Sequence, residues 1–189
     1  MPRNRVLRAL GGAGLLARHP SDAGVLLRSL DAGRHGRMAS SLSLLYWTSA
    51  LVPRKSYDIL YCHYGWNGLY ASMLREIGAL AGKLVTAFHG ADLSWQLHAA
   101  SSDLYRPLLK RGDLFLPISE HWKQKLLELG CDPRPLEVHR MGIDCARLSY
   151  SERRPAPGEP IQLLSVSRLV EKKGIEYGLA AVSALVARG

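Results

Sequence analysis

The chain has only three cysteines, Cys62, Cys131 and Cys145, and no C-x-x-C pair. Neither a disulfide framework nor a zinc site is signalled, and free thiols in a reducing cytosol fit this usage. Long apolar runs are also missing. The longest uncharged run, from Met38 to Pro53, contains four serines and a threonine and falls short of the roughly 20 apolar residues that cross a bilayer. The amino terminus, MPRNRVLRALGGAGLLARHP, lacks a clean apolar core followed by a small-residue cleavage site, so it is a poor secretion signal. Repeats and low-complexity tracts are absent as well. Acidic residues are scarce at the front, where residues 1–40 hold seven arginines against Asp22 and Asp31, or +5 of the formal +9. Such a segment suits either an anionic lipid surface or a solvated helix face. Nucleic-acid binding would call for aromatics interleaved with a dense basic stripe, or a known module, and neither is found.

What is present is enough for one sizeable core: 189 residues, 47% of them hydrophobic. Short apolar runs recur at 58–63 (DILYCH), 83–88 (KLVTAF), 113–118 (DLFLPI) and 161–166 (IQLLSV), with a weaker one at 136–139 (LEVH). Runs spaced in this way alternate with helices in a parallel sheet. Residues 68–80 put Leu69, Met73, Ile77 and Leu80 on one helical face, and a helix over 119–129 starts at Ser119 and stops before Gly130. Further helices are expected over about 21–33 and 38–52. The stretch 149–160, SYSERRPAPGEP, reads as a linker. The expected organisation is a basic helical segment (1–54), an α/β domain (55–148), the linker, and one strand-helix unit (161–189). A unit of fewer than about 40 residues rarely folds alone. It is expected to dock elsewhere or to be the start of a second domain whose remainder is missing.

Several motifs sit where chemistry is done in such folds. GAGLLA at 12–17 formally fits the dinucleotide pattern, but no buried strand precedes it and Pro20 follows, so the match is chance. In TAFHGAD, a strand ends at His89-Gly90 with Asp92 just beyond. Open α/β sheets bind ligands beyond the carboxyl ends of their strands. His89 can donate to an oxygen or share a proton, or it can simply cap the strand end. CHYGWNG repeats the arrangement with His63, and Gly68 opens a helix whose N–H groups could meet an anion or a sugar hydroxyl. Tyr64 and Trp66 read as packing. The two histidines are too short of partners for a metal site. In SVSRLVEKKG, Arg168, Lys173 and Gly174 form a turn from strand to helix. A guanidinium fork, a mobile ammonium and a helix amino terminus suit a diphosphate, although an ordinary basic turn has the same look.

Taken in order, DILYCH…G, FHGAD, DLFLPIS, VHRMGID and SRLVEKKG resemble the family 4 (GT4) glycosyltransferases of the GT-B fold, and among them bacterial exopolysaccharide enzymes of the colanic acid and amylovoran type. The resemblance covers roughly residues 55–189. It implies a Rossmann-like amino-terminal domain on the acceptor side and a carboxy-terminal domain that binds a nucleotide-diphosphate sugar. It implies that His89 lies near the transferred sugar, with His63, Gly68, Gly90 and Asp92 on the acceptor side. Arg168, Lys173 and Gly174 would hold the donor diphosphate, and Gly142 and Asp144 of MGID would face the cleft. Retention of anomeric configuration, no catalytic metal, a saccharide or lipid-linked acceptor and a cytoplasmic location at the inner membrane face are implied with it. The family's usual first strand and glycine-rich loop have no equivalent before residue 55, and its E-x7-E region has none before Gly189. The chain alone is therefore expected to be inactive or weak. A non-catalytic binding or scaffold remnant is the alternative.

Overall fold

A computed structural model describes residues 2, 4–95, 97, 101, 103–152, 154 and 156–188. The chain divides into two compact units, Met1–Gly142 and Ile143–Gly189.

In the first unit three parallel strands, β1 (Lys55–His63), β2 (Leu80–Phe88) and β3 (Leu114–Pro117), lie in the order β1-β2-β3. This is the α/β, Rossmann-like arrangement expected. His63 lies beside Ala87 and Phe88 beside Pro117, so all three strands finish at one edge of the sheet. The weak run at 136–139 continues the sheet as an extended segment. Phe115 N–H donates to the Pro135 carbonyl (2.7 Å), and Glu137 and His139 donate to the carbonyls of Phe115 and Pro117.

Helices α6 (Gly65–Glu76), α7 (Arg106–Arg111) and α8 (Glu120–Glu128) flank this sheet. Leu69, Leu84, Phe88, Tyr105, Leu108, Phe115 and Leu126 form its core. Helix α8 begins as expected, with the Ser119 hydroxyl accepting from Trp122 N–H, and Gly130 follows it at φ +85°. Helix α6 departs from expectation. It starts three residues earlier, at Gly65, and ends at Glu76, while Leu80 belongs to β2. Asp113, ahead of β3, ties the layers together by accepting from Leu84 N–H, Arg75 and Lys83. Burial alone would raise its pKa, but these three donors outweigh burial and hold it below the ordinary carboxylate value.

The amino-terminal segment is helical, led by α1 (Arg5–Arg18), and GAGLLA lies inside that helix, with no strand before it among the described residues. The two long helices expected next are replaced by short pieces: a turn at Pro20–Asp22, α2 (Ala23–Arg28), α3 (Ala32–His35), α4 (Arg37–Ser40) and α5 (Ser43–Ser49). Local side-chain bonds and left-handed residues account for the breaks. Ser29 Oγ donates to the Leu26 carbonyl, Asp31 accepts from Arg34 N–H to start α3, and Gly36 and Leu42 sit at φ +50° and +60°. These helices share a core with the sheet layer, Leu44 joining Leu74, Ile77 and Ala79. The basic segment 1–54 and the sheet thus lie in the same compact unit.

In the second unit, helix α9 (Ile175–Val186) is formed, but the strand expected over 161–166 is not. A strand needs a neighbour in a sheet, and among the described residues the sheet consists of β1, β2 and β3 alone. Its apolar side chains, Ile161, Leu163, Leu164 and Val166, are exposed.

Candidate functional site

The carboxyl edge of the sheet places the two strand-end histidines together. His63 Nδ1 lies 2.9 Å from His89 Nε2, and the rings stack with centroids 5.1 Å apart. This contact spans 26 residues of sequence and follows directly from the register that sets His63 beside Ala87. One nitrogen of the pair must carry the proton that the other accepts, so both rings cannot be fully protonated while it holds. Desolvation, then the charge of His63, lower the pKa of His89, and Asp92 acts in the opposite direction. His89 is therefore held neutral near pH 7, with a ring nitrogen left over to donate to, or accept from, a hydroxyl.

Aromatic rings surround the pair. Tyr64 lies 4.6 Å from His89 and stacks on Trp66 at 4.5 Å and 6°, while Tyr61 meets His63 edge-on. The sequence read Tyr64 and Trp66 as packing, and their ring does pack, but it packs as the wall of this site. Tyr64 adopts φ +70° and ψ 140°, a region that a side chain occupies only at a cost. Its N–H bonds the Ala87 carbonyl (2.8 Å), and its own carbonyl accepts from Asn67 and Gly68, so strand end and helix start both hold it there.

Asp92 is fully buried. Its carboxylate accepts from Gly65 N–H (2.9 Å) and from His89 N–H (3.1 and 3.3 Å). It thus caps α6, which has no cap of its own, and fixes the backbone of the histidine. Sequence reasoning placed Asp92 on the acceptor side. The geometry gives its carboxylate to the protein itself. Gly90, at φ +92°, is also buried, and a Cβ there would stand 2.8 Å from Trp122 Nε1. Gly68 does not open the helix but lies within its first turn, where a Cβ would run into the Thr86 side chain. Both glycines serve close packing beneath the site.

The other expected residues belong to the end of the first unit and to the second. Gly142 closes the first unit, and Asp144 is the second residue of the other, which opens at Ile143. Asp144 accepts from Ala146 N–H (3.1 Å) and pairs with Arg147 (3.3 Å), capping a short turn at Cys145–Arg147. In the second unit, Arg168 and Lys173 are exposed and neither side chain forms an ion pair among the described residues. Gly174, at φ +59° and ψ 32°, turns the chain into α9, whose first turn has no side-chain cap. Among the described residues, no three His, Cys, Asp or Glu side chains gather to hold a metal ion.

Replacing His63 with glutamine removes a neighbouring charge. The His89 pKa should rise toward its ordinary 6.5 while staying below it, because desolvation remains. An imidazole NMR titration reads this directly, and an unmoved His89 would show that the pair is not electrostatically coupled. The linkage follows from the sign. A folded-state pKa below the unfolded value contributes stability above the unfolded value, and that stability is lost as pH falls through the folded one.

Comparison with known proteins identifies the family. Residues 5–147 match the model of Glycosyltransferase Family 4. A Salmonella typhimurium protein with the provisional name colanic acid biosynthesis glycosyltransferase WcaL is 37% identical over 163 residues, which is 86% of this chain and 40% of the relative. Amylovoran biosynthesis glycosyltransferase AmsK of Erwinia amylovora is 38% identical over 165 residues, with the same two coverages. A glycogen synthase of Mycobacterium tuberculosis is 37% identical over 94 residues, 49% of this chain and 22% of the relative. The chain spans about two fifths of the length of the exopolysaccharide relatives it matches. With more than half of its residues inside the family model, the chain belongs to Glycosyltransferase Family 4.

Proposed function

We propose that this chain is the acceptor-side part of an enzyme that transfers a sugar from a nucleotide-diphosphate sugar to a saccharide, free or lipid-linked, in exopolysaccharide assembly. The observation that carries the reading is the His63–His89 pair at the carboxyl ends of adjacent parallel strands, inside the stretch that matches the family. The names of the colanic acid and amylovoran relatives support the substrate class. In this reading His89, neutral and fixed through its N–H to Asp92, orients a sugar hydroxyl with its ring, and the Tyr64–Trp66 stack gives the sugar ring an apolar wall. Arg168, Lys173 and the start of α9 hold the donor diphosphate and offset charge growing on the leaving group. Transfer retains the anomeric configuration and uses no catalytic metal. The work is done at the cytoplasmic face of the membrane that carries the acceptor, and the chain alone is weak or inactive.

The test is a titration of the purified chain with oligosaccharide fragments of bacterial exopolysaccharide, followed through its imidazole NMR signals. Shifts at His63 and His89, abolished by Tyr64→Ala, are the expected result. Shifts confined to His121 and His139, or none up to the solubility of the saccharide, would overturn the acceptor assignment.

A further inference from the structure

Helix α1 is apolar on the side that faces away from the protein. Its inward face is made close-fitting by Gly11, which lies against the Tyr46 hydroxyl, and Gly12, which lies against Leu45. Tyr46 also donates to the Arg8 carbonyl (3.0 Å), fixing the rotation of the helix. That rotation turns Val6, Leu10, Ala13 and Ala17 outward, and Val6 and Leu10 are 68% and 65% exposed. Spacings of four, three and four residues place these side chains in one ridge along the helix. A solvated helix carries polar residues on such a face.

The charged residues that flank the ridge are all basic. At 100° per residue Arg5 and Arg18 fall on opposite flanks, about 110° from its centre line. A groove of about 670 Å³ beside α1 is lined by Arg5, Arg8, Arg37, Ser40 and Ser41. Arg8 is bonded to the Pro2 and Ser41 carbonyls, whereas Arg5 and Arg37 have no ion-pair partner among the described residues. No acidic residue precedes Asp22. Charge of one sign around an apolar ridge repels a second copy of the same face and complements an anionic one.

We infer that α1 docks on an anionic lipid surface, with the Val6–Leu10–Ala13–Ala17 ridge among the acyl chains and Arg5, Arg18 and Arg37 on the lipid phosphates. The inference deepens the proposed membrane-face location and rests on it for its purpose, which is to hold the site beside a lipid-linked acceptor. Docking itself needs no sugar.

Co-sedimentation of the full chain with vesicles tests it. The chain should pellet with phosphatidylglycerol–phosphatidylcholine vesicles and not with phosphatidylcholine alone, and the binding should weaken as salt rises. Arg5→Gln with Arg37→Gln should weaken binding on the order of thirtyfold, from the worth of a cation near a charged leaflet. Val6→Gln with Leu10→Gln should reduce it at low salt too, with an unchanged circular dichroism spectrum. Equal pelleting with both vesicle types, no pelleting, a ridge variant that binds like the wild type, or a dimer that buries the ridge in light scattering would each overturn the inference. The saccharide titration is read on the same protein without vesicles, so either result can fail alone.

Discussion

Asp92→Ala is expected to cost the amino-terminal unit about 4 kcal/mol in urea denaturation, because a buried N–H and a part-buried one lose the carboxylate that accepts from them and each such loss costs about 1–3 kcal/mol. The donors are those of Gly65 and His89, and the carboxylate between them has no exposed surface. A negative charge at the start of α6 is also favoured by the helix dipole, a contribution that disappears with it. Asp92→Asn keeps one carbonyl oxygen and should cost less, about 1–2 kcal/mol. The two variants also separate stability from electrostatics. The Asp92 charge raises the His89 pKa, so either substitution should lower that pKa further while the His63 contact remains. If Asp92→Ala unfolds at the wild-type urea concentration, the carboxylate is not what joins α6 to the loop after β2, and the histidine must be held by other contacts.

The parts of this fold that are legible in the sequence are those where local chemistry and tertiary packing agree. The runs ending at His63, Phe88 and Ile118 are apolar and bounded by Gly, Pro or Ser, and each contains a strand. Ser119 and Gly130 bracket α8 because a cap and a left-handed stop are short-range signals. The region 20–49 defeats the same reasoning. Its apolar spacing favours long helices, but Ser29 and Asp31 bond the backbone locally, and Leu42 turns left-handed where no glycine marks the turn. At the site, the histidines are visible as strand ends, but their contact depends on strand register, which no local motif encodes. Asp92 is visible only as a neighbour of His89. Its bond to Gly65, 27 residues away, decides that it is a structural anchor. The apolar run at 161–166 shows the converse limit, since β propensity alone does not make a strand, and among the described residues this run joins no sheet.

That last segment leads into the turn with the largest expected effect on catalysis. In a form of the enzyme that carries out transfer, Arg168→Ala and Lys173→Ala are each expected to lower kcat about 10²–10³-fold, the usual cost of removing a preorganised contact to transition-state charge. Glu171–Lys173 form a single tight turn, Gly174 reverses the chain in a left-handed conformation, and α9 begins with its first N–H groups uncapped by any side chain. Two cations that form no ion pair among the described residues, ahead of such a helix start, would meet a diphosphate as a fork, a point charge and a dipole together. The pattern of loss identifies which of these matters. If Arg168 grips the diphosphate through two parallel hydrogen bonds, Arg168→Lys should be nearly as damaging as Arg168→Ala, whereas Lys173→Arg should be better tolerated because an ammonium acts as a point charge. A rise in KM with kcat unchanged would mean that the turn binds donor and transition state equally well. Unchanged kcat and KM in all four variants would make it an ordinary basic turn and remove it from the mechanism.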